Sequence, residues 1–89
     1  MFHCYILQSA KSERFYVGHA QDLEIRLSEH NSGKVVSTRN KGPWTLIHSE
    51  PFSTRSDAMK REIEIKRWKS AAKIRERVGL ERPENREGR

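Results

Sequence analysis

The side chains with the most evident chemical capacity share one face of a predicted helix. The spacing i, i+3, i+4 and i+7 places on that face Leu23, Arg26, Leu27 and His30. A surface helix normally fills this face with hydrocarbon, and a guanidinium and an imidazole are costly to bury without partners. We therefore expect Arg26 and His30 to border a cleft, where they meet a ligand and water. The alternative is a structural role, in which the aliphatic part of the Arg26 side chain packs along the core and His30 caps a local carbonyl.

The carboxylate of Glu62 is the second candidate. It falls on a long helix that the capping-box spacing of residues 54–57 opens. Ala58, Glu62 and Ile65 stand at i, i+4 and i+7, so Glu62 takes an inward position, whereas Glu64 faces elsewhere. An inward carboxylate either neutralises a structural arginine or ligates a hard divalent cation, which one carboxylate, waters and a phosphate can hold together.

Two phenols complete the set of reactive groups. Tyr5 and Tyr16 lie on adjacent strands of a predicted hairpin, so that both hydroxyls could reach one spot. A phenol is a poor base at neutral pH unless positive charge depresses its pKa, and Arg26 or a bound metal would supply that charge. Alternatively, both tyrosines are ordinary sheet aromatics. Gly18 is unfavourable in a strand, and we expect it to admit another backbone or a ligand at close range.

These residues must be positioned by a small set of elements. The patterns predict strands at residues 2–8, 15–19 and 45–49, the third continuing irregularly through Phe52, and helices at residues 23–30, from 54 to about 68 and from 70 to 79. The order strand, strand, helix, strand, helix, helix predicts an α+β fold, a three-stranded antiparallel β-sheet flanked by helices. We expect one domain over residues 1–80 and a disordered polar tail over residues 81–89.

Length and charge narrow the classes of function. A chain of 89 residues forms a thin core, so its cleft must be shallow and open, which suits a polymeric substrate. Eighteen Lys and Arg against twelve Asp and Glu leave a net charge of +6, which favours a polyanionic partner, although both signs are spread through the chain as on any solvated surface. The single Cys4 excludes an internal disulfide and predicts a buried thiol. No apolar run predicts a membrane span, and we expect a cytoplasmic protein with no membrane partner.

Exposed cations could follow a phosphate backbone. Those of the predicted basic loop are Lys34, Arg39 and Lys41, and those of the later helices are Lys60, Lys66, Arg67, Lys69 and Lys73. Backbone contacts carry little sequence information and weaken with salt, so we expect recognition of nucleic-acid shape. Trp44 and Trp68 are more typical of core residues than of stacking platforms.

Together the motifs resemble the GIY-YIG nuclease family. Residues 4–7 and 15–18 are similar to the two halves of its signature, and residues 22–31 to the following helix with its arginine and His-Asn pair. Pro43-Trp44 and residues 58–62 with Lys66 continue the resemblance, in order, to the small stand-alone members related to UvrC-type repair nucleases and to structure-specific nucleases. The first motif departs from the family pattern, since it reads His3-Cys4-Tyr5 where the family name has Gly-Ile-Tyr.

The resemblance implies a metal-dependent endonuclease that cuts DNA phosphodiester bonds in repair or recombination. It implies that Glu62 holds one Mg²⁺ or Mn²⁺, that Arg26 clamps a phosphate oxygen, and that His30 orients a tyrosine. Tyr5 or Tyr16 would take the proton from the attacking water. The implied partner is branched, nicked or single-stranded DNA, with a protein partner that supplies specificity.

Two alternatives remain open from the residues. One is a non-catalytic nucleic-acid-binding module on the same scaffold. The other is a structural basic protein, in which the polar side chains on apolar helix faces pair with one another inside the protein. An ion pair between Arg26 and Glu62, sealed from solvent, would favour this alternative.

Overall fold

A three-stranded antiparallel sheet organises the protein, and the computed structural model describes residues 1–80. Strand β1 (Phe2–Ser9) lies between β2 (Phe15–Ala20) and β3 (Trp44–Phe52), in the order β2-β1-β3. The hairpin pairs Tyr5 with Gly18 and Leu7 with Tyr16, and an irregularity between Ile6 and Leu7 shifts the register against β3. The predicted α+β fold and its element order are confirmed. The third strand begins one residue earlier than predicted, at Trp44, and its predicted continuation through Phe52 is confirmed. It includes Pro51, whose missing N–H an edge strand tolerates.

Three helices complete the fold: α1 (Leu23–Asn31), α2 (Arg55–Arg67) and α3 (Ala71–Val78). Each begins at a side-chain cap, because Asp22, Thr54 and Ser70 accept hydrogen bonds from backbone N–H groups three residues on. Gly79 ends α3 with φ of 82°, a conformation that favours glycine. These local signals were readable in the sequence, and the predicted starts of the helices are confirmed within a residue.

The sheet separates two apolar clusters because alternate side chains of a strand point to opposite faces. One face packs on α2 and α3 through Cys4, Ile6, Val17, Ile65 and Ile74. The other face packs on α1, and the buried residues of its cluster are Tyr5, Leu7 and Trp44, the first residue of β3. The predicted burial of Cys4 and Trp44 is confirmed, and Trp68 is partly buried against the first cluster.

The side chain of Asn31 joins the end of α1 to the start of β3. Asn31 donates from Nδ2 to the carbonyl of Trp44 over 3.0 Å, and its Oδ1 accepts from the Trp44 N–H over 2.6 Å. Between these ends, the segment predicted as an irregular basic loop contains a single 3-10 turn, Val36–Thr38. The turn matters because Thr38, its last residue, is buried beneath α1.

Two further sequence-based expectations concern the C-terminal tail and membrane-spanning helices. The tail predicted for residues 81–89 lies outside the described residues. Within residues 1–80, none of the helices has the length and apolar character needed to cross a membrane.

Candidate active site

The hydroxyl of Tyr5 rests directly over the backbone of Gly18 on the neighbouring strand. A Cβ at Gly18 would lie 2.6 Å from the Tyr5 oxygen and 2.8 Å from its Cζ, so no larger residue fits without displacement. The expectation that Gly18 admits a backbone or a ligand is therefore corrected. The missing side chain makes room for the phenol of Tyr5, which can then extend across β2 towards its outer edge.

A buried hydrogen-bond chain holds that phenol. The Tyr5 hydroxyl lies 2.9 Å from His30 Nε2, and His30 Nδ1 lies 2.8 Å from Thr38 Oγ1. Thr38 can donate in turn to the carbonyl of Val35 over 3.4 Å. In the arrangement that satisfies every donor, His30 carries its proton on Nδ1 and donates to Thr38, while Nε2 accepts from Tyr5. Burial, and then the charge of Arg26, lower the pKa of His30, which favours this neutral imidazole.

His30 is buried, and both of its ring nitrogens are bonded inside the protein. It is 2% exposed, and its two ring nitrogens are occupied by Tyr5 and Thr38. The expectation that His30 meets a ligand and water is therefore wrong, and so is the alternative in which it caps a local carbonyl. A polar cavity of about 600 Å³ lies behind it, lined by His30, Thr38 and the neighbouring loop, with none of the phenols, Arg26 or Glu62 in its wall. His30 is thus placed to hold Tyr5 in position.

Arg26 extends from α1 to the same spot. Its interaction with the Tyr5 hydroxyl, and then with the Glu29 carboxylate, raises the pKa of Arg26, so it stays charged. Its Nη1 lies 2.9 Å from Glu29 Oε1, and more than a third of the side chain is exposed. Arg26 is paired to Glu29 and not bridged to Glu62, so the arrangement that would favour a purely structural protein is not what the structure shows.

The two phenols differ in their surroundings. Burial raises the pKa of Tyr5 to about 12, and the nearby guanidinium of Arg26 offsets this only in part. Charge from Arg26 was expected to depress this pKa, and for Tyr5 that expectation is wrong because desolvation dominates. Tyr16 is only partly buried, and its ring lies 4.8 Å from that of His30 and 6.4 Å from that of Tyr5. Its hydroxyl has no hydrogen bond to any of residues 1–80.

Glu62 lies on α2, across the sheet from α1. Its Oε1 is 2.7 Å from His19 Nδ1, and its Oε2 is 2.6 Å from Lys66 Nζ. Although burial alone would raise the pKa of Glu62, Lys66 and His19 together hold it below its usual value, so Glu62 is ionised at neutral pH. Its negative charge is one of the smaller causes of the raised pKa of Tyr5, although Tyr5 belongs to the cluster on the opposite face of the sheet. Glu64 is 58% exposed and faces elsewhere, as predicted.

The structure therefore brings four of the five predicted catalytic residues together on one face: Tyr5, Tyr16, Arg26 and His30. Glu62 approaches from the other face, by way of the edge strand β2 that carries Gly18 and His19. The expectation of a single hollow that all five residues line is not met, because His30 is enclosed and Glu62 lies on the opposite side of the sheet.

The predicted nucleic-acid contacts are all exposed, and they fall into two groups. The loop group, Lys34, Arg39 and Lys41, lies on the α1 side of the sheet. The helix group, Lys60, Lys66, Arg67, Lys69 and Lys73, lies on the α2 and α3 side. Lys66 is already paired to Glu62, and Arg39 donates from Nε to the carbonyl of Gly33. A single straight nucleic-acid backbone therefore cannot contact all of these cations.

Two residues of the site were missed in the sequence. Thr38 anchors His30 from a turn eight residues downstream, and no periodic pattern marks it. His19 pairs with Glu62, and alternation could have indicated it, since His19 follows Gly18 and must point to the face that α2 covers. Among residues 1–80, no group of three or more His, Cys, Asp or Glu is gathered where it could hold a metal.

Comparisons with known proteins bear on the family and the fold. A family model described as the GIY-YIG catalytic domain matches residues 1–75. A UPF0213 protein of Halobacterium salinarum is 38% identical over 74 residues, which are 82% of this chain and 95% of that protein. A UPF0213 protein of Staphylococcus haemolyticus is 34% identical over 74 residues, 82% of this chain and 90% of that protein. The solution NMR structure of a UPF0213 protein from Bacillus halodurans is 32% identical, with a TM-score of 0.55, and the match covers 91% of this chain and 86% of that one.

Proposed function

This chain belongs to the GIY-YIG catalytic-domain family, a nuclease family, and we propose that it is a metal-dependent endonuclease that hydrolyses DNA phosphodiester bonds. The observation that carries the proposal is the convergence of Tyr5, Tyr16 and Arg26: both phenol rings lie against Gly18, and the guanidinium interacts with the Tyr5 hydroxyl. The ionised Glu62 lies on the other face of the same edge strand, bonded to His19. An exposed guanidinium, a partly exposed phenol and a carboxylate are the groups that phosphodiester hydrolysis requires.

Arg26 binds a non-bridging oxygen of the scissile phosphate. Its charge is fixed, its position is supported by Tyr5 and Glu29, and its exposed part is free to meet an anion. Charge on the phosphate oxygens grows in the transition state, and a preorganised guanidinium stabilises that charge more than the ground state.

Tyr16 takes the proton from the attacking water. Tyr5 is unsuited to that role because its hydroxyl is buried, is bonded to His30 and has a raised pKa. Tyr16 reaches solvent, and its ring packs against that of His30. Tyr5, His30 and Thr38 are then positioning residues, whose hydrogen bonds fix the place of Arg26 and of the Tyr16 ring.

Glu62 holds the divalent cation, Mg²⁺ or Mn²⁺. The donor set fits this role in one respect, since the carboxylate is ionised and one hard oxygen with waters and a phosphate suffices for such an ion. The ammonium of Lys66 must leave Oε2 first, and it is able to do so because it is half exposed on a flexible stem. When bound, the ion supplies Lewis-acid stabilisation of the leaving oxygen.

The substrate is DNA recognised by shape, such as a branch, a flap or a nick. The net charge of +6 and the two groups of cations on opposite sides of the sheet favour a substrate that bends or forks around the edge carrying β2. Contacts of this kind go to phosphates, so binding weakens steeply with salt. Such selectivity would suit DNA repair or recombination, and a domain this small would gain further specificity from a protein partner.

A cleavage panel tests the proposal. Wild type, Glu62→Ala and Glu64→Ala are incubated with branched, nicked and single-stranded DNA in Mg²⁺, Mn²⁺ or EDTA. We expect Glu62→Ala to keep its fold and its DNA binding and to lose metal-dependent cleavage. Glu64→Ala, on the same helix but exposed, is the matched control and should cleave like wild type. Full activity of Glu62→Ala would remove the mechanism.

A non-catalytic binding module is the second candidate, favoured by one observation. Both oxygens of Glu62 already have partners, His19 and Lys66, as a structural carboxylate would. This candidate predicts binding to branched DNA with no cleavage in either metal. The same panel separates the two, provided that binding is measured beside cleavage.

A further inference from the structure

The imidazole of His19 and the carboxylate of Glu62 lie close enough together for one metal ion to reach both. His19 Nδ1 and Glu62 Oε1 are 2.7 Å apart. Neighbouring ligands of an octahedral ion with bonds of about 2.1 Å are separated by about 3.0 Å. One ion can therefore reach both atoms once the imidazole turns, because Nδ1 now points directly at Glu62 Oε1 and must point at the ion instead. Coordination through Nδ1 requires that this nitrogen give up the proton it shares with Glu62, so that the imidazole binds the ion in the tautomer protonated on Nε2.

We propose that His19 is a second ligand beside Glu62, and that the site therefore prefers a borderline ion such as Mn²⁺ to Mg²⁺. Imidazole nitrogen suits transition metals, whereas Mg²⁺ demands oxygen ligands. This inference rests on the proposed function, because it places the ion at Glu62. It goes beyond that function by adding a ligand and a metal preference that a single carboxylate would not impose.

The position of His19 supports this role. It follows Gly18 on the edge strand β2, and both members of the pair are partly exposed, at 23% for His19 and 16% for Glu62. Solvent therefore reaches the pair, while partial burial reduces the competition from water. Cys4 is paired with His19 across β1 and β2, but its side chain is 1% exposed and packs in the apolar cluster beneath α2.

A second His-Glu pair in the same protein lacks this capacity. His48 Nε2 and Glu50 Oε2 are 2.8 Å apart and similarly exposed. Arg61, however, binds both oxygens of Glu50, through Nε at 2.8 Å and Nη2 at 3.2 Å. A bidentate guanidinium is fixed in place, whereas the single bond from the exposed Lys66 to Glu62 is easily given up. The His48 pair therefore serves as a matched control.

Binding of Mn²⁺ alone, without DNA, tests the proposal. The free-ion signal in electron paramagnetic resonance gives the affinity, and electron spin-echo modulation detects coupling to a coordinated ¹⁴N. We expect wild type to bind Mn²⁺ with imidazole ¹⁴N coupling. His19→Gln, which can still donate a hydrogen bond to Glu62, should lose the coupling and bind at least about tenfold more weakly. His48→Gln should match wild type in both measurements.

His19→Asp sharpens the test because it replaces the nitrogen ligand with oxygen. We expect it to lose the ¹⁴N coupling and to let Mg²⁺ compete with Mn²⁺ more effectively than in wild type. Absence of Mn²⁺ binding or of ¹⁴N coupling in wild type would overturn the proposal, as would coupling that persists in His19→Gln. Because no DNA is present, a failure here is distinct from a failure of the proposed nuclease function, which the cleavage panel measures on DNA in Mg²⁺ and in Mn²⁺.

Discussion

The Tyr5 hydroxyl occupies the space that a side chain at Gly18 would fill. The two residues are directly paired across β1 and β2, and a Cβ at Gly18 would lie 2.6 Å from the phenolic oxygen. The glycine is thus required by a neighbouring side chain, and the position of Tyr5 in turn determines where Arg26 and His30 meet.

Gly18→Ala should destabilise the protein by about 1–3 kcal/mol, because the new methyl group forces the phenol out of its place. Chemical denaturation of both proteins measures the difference. In the double variant Gly18→Ala with Tyr5→Phe, the oxygen 2.6 Å from the new methyl group is gone, whereas Cζ at 2.8 Å remains. The double variant should therefore recover part of the stability that Gly18→Ala loses. Strictly additive losses in the two single variants and the double variant would contradict the steric explanation.

Thr38→Val should cost about 1–3 kcal/mol of folding free energy, because the buried Nδ1 of His30 loses its only described partner within residues 1–80. Thr45→Val is the matched control, since Thr45 is exposed on β3 and valine is favoured in strands. Thermal or denaturant unfolding of the two variants provides the comparison. Equal effects would mean that the Thr38 hydroxyl does not support His30.

Stability should fall as the pH drops below about 6.5, the ordinary pKa of histidine. Burial and Arg26 lower the pKa of His30 in the folded state, so on acidification the unfolded chain binds this proton first and is favoured. The free energy of unfolding at about pH 7.5 and at about pH 5.5 should therefore differ more in wild type than in His30→Gln. Identical pH dependence in both would show that His30 is not the titrating group. Measurements stay above the range in which Glu50 and Glu62, with lowered pKa values, begin to take up protons.

Tyr16→Phe should lower the cleavage rate by about 10²- to 10⁴-fold, the usual contribution of a general base, and leave stability nearly unchanged. Tyr5→Phe should instead lower stability, because His30 Nε2 loses a buried donor, and should reduce cleavage less. Single-turnover rates and unfolding curves for both variants make the comparison. The opposite ranking of the two rates would exchange the roles assigned to the phenols.

Local signals predicted much of this fold. The capping residues Asp22 and Thr54 and the left-handed Gly79 mark helix ends within a few residues of chain, where hydrogen bonds form between near neighbours. The stripe containing Arg26 and His30 was also predictable, because helical spacing alone places them on one face.

Contacts between distant segments were not predictable in the same way. His30 was expected to reach solvent, but Thr38 and Tyr5 enclose it, and neither contact has a periodic signature. Tyr5 was expected to have a depressed pKa, yet the degree of burial, which opposes that shift, depends on how α1 packs on the sheet. The position of Glu62 across the sheet from α1 likewise depends on which face of the sheet α2 covers, which the periodicity of its own helix does not indicate.

The burial of Cys4 makes it an internal reporter of motion in the central strand. Its side chain is 1% exposed, and the thiol is the only one in the chain. A disulfide reagent such as dithionitrobenzoate can modify it only when the strand separates from α2, so the labelling rate under native conditions reports how often the sheet opens. The labelling rate of Cys4 can thus rank the variants of Tyr5 and Gly18 by how often the sheet opens, without denaturant and without a substrate.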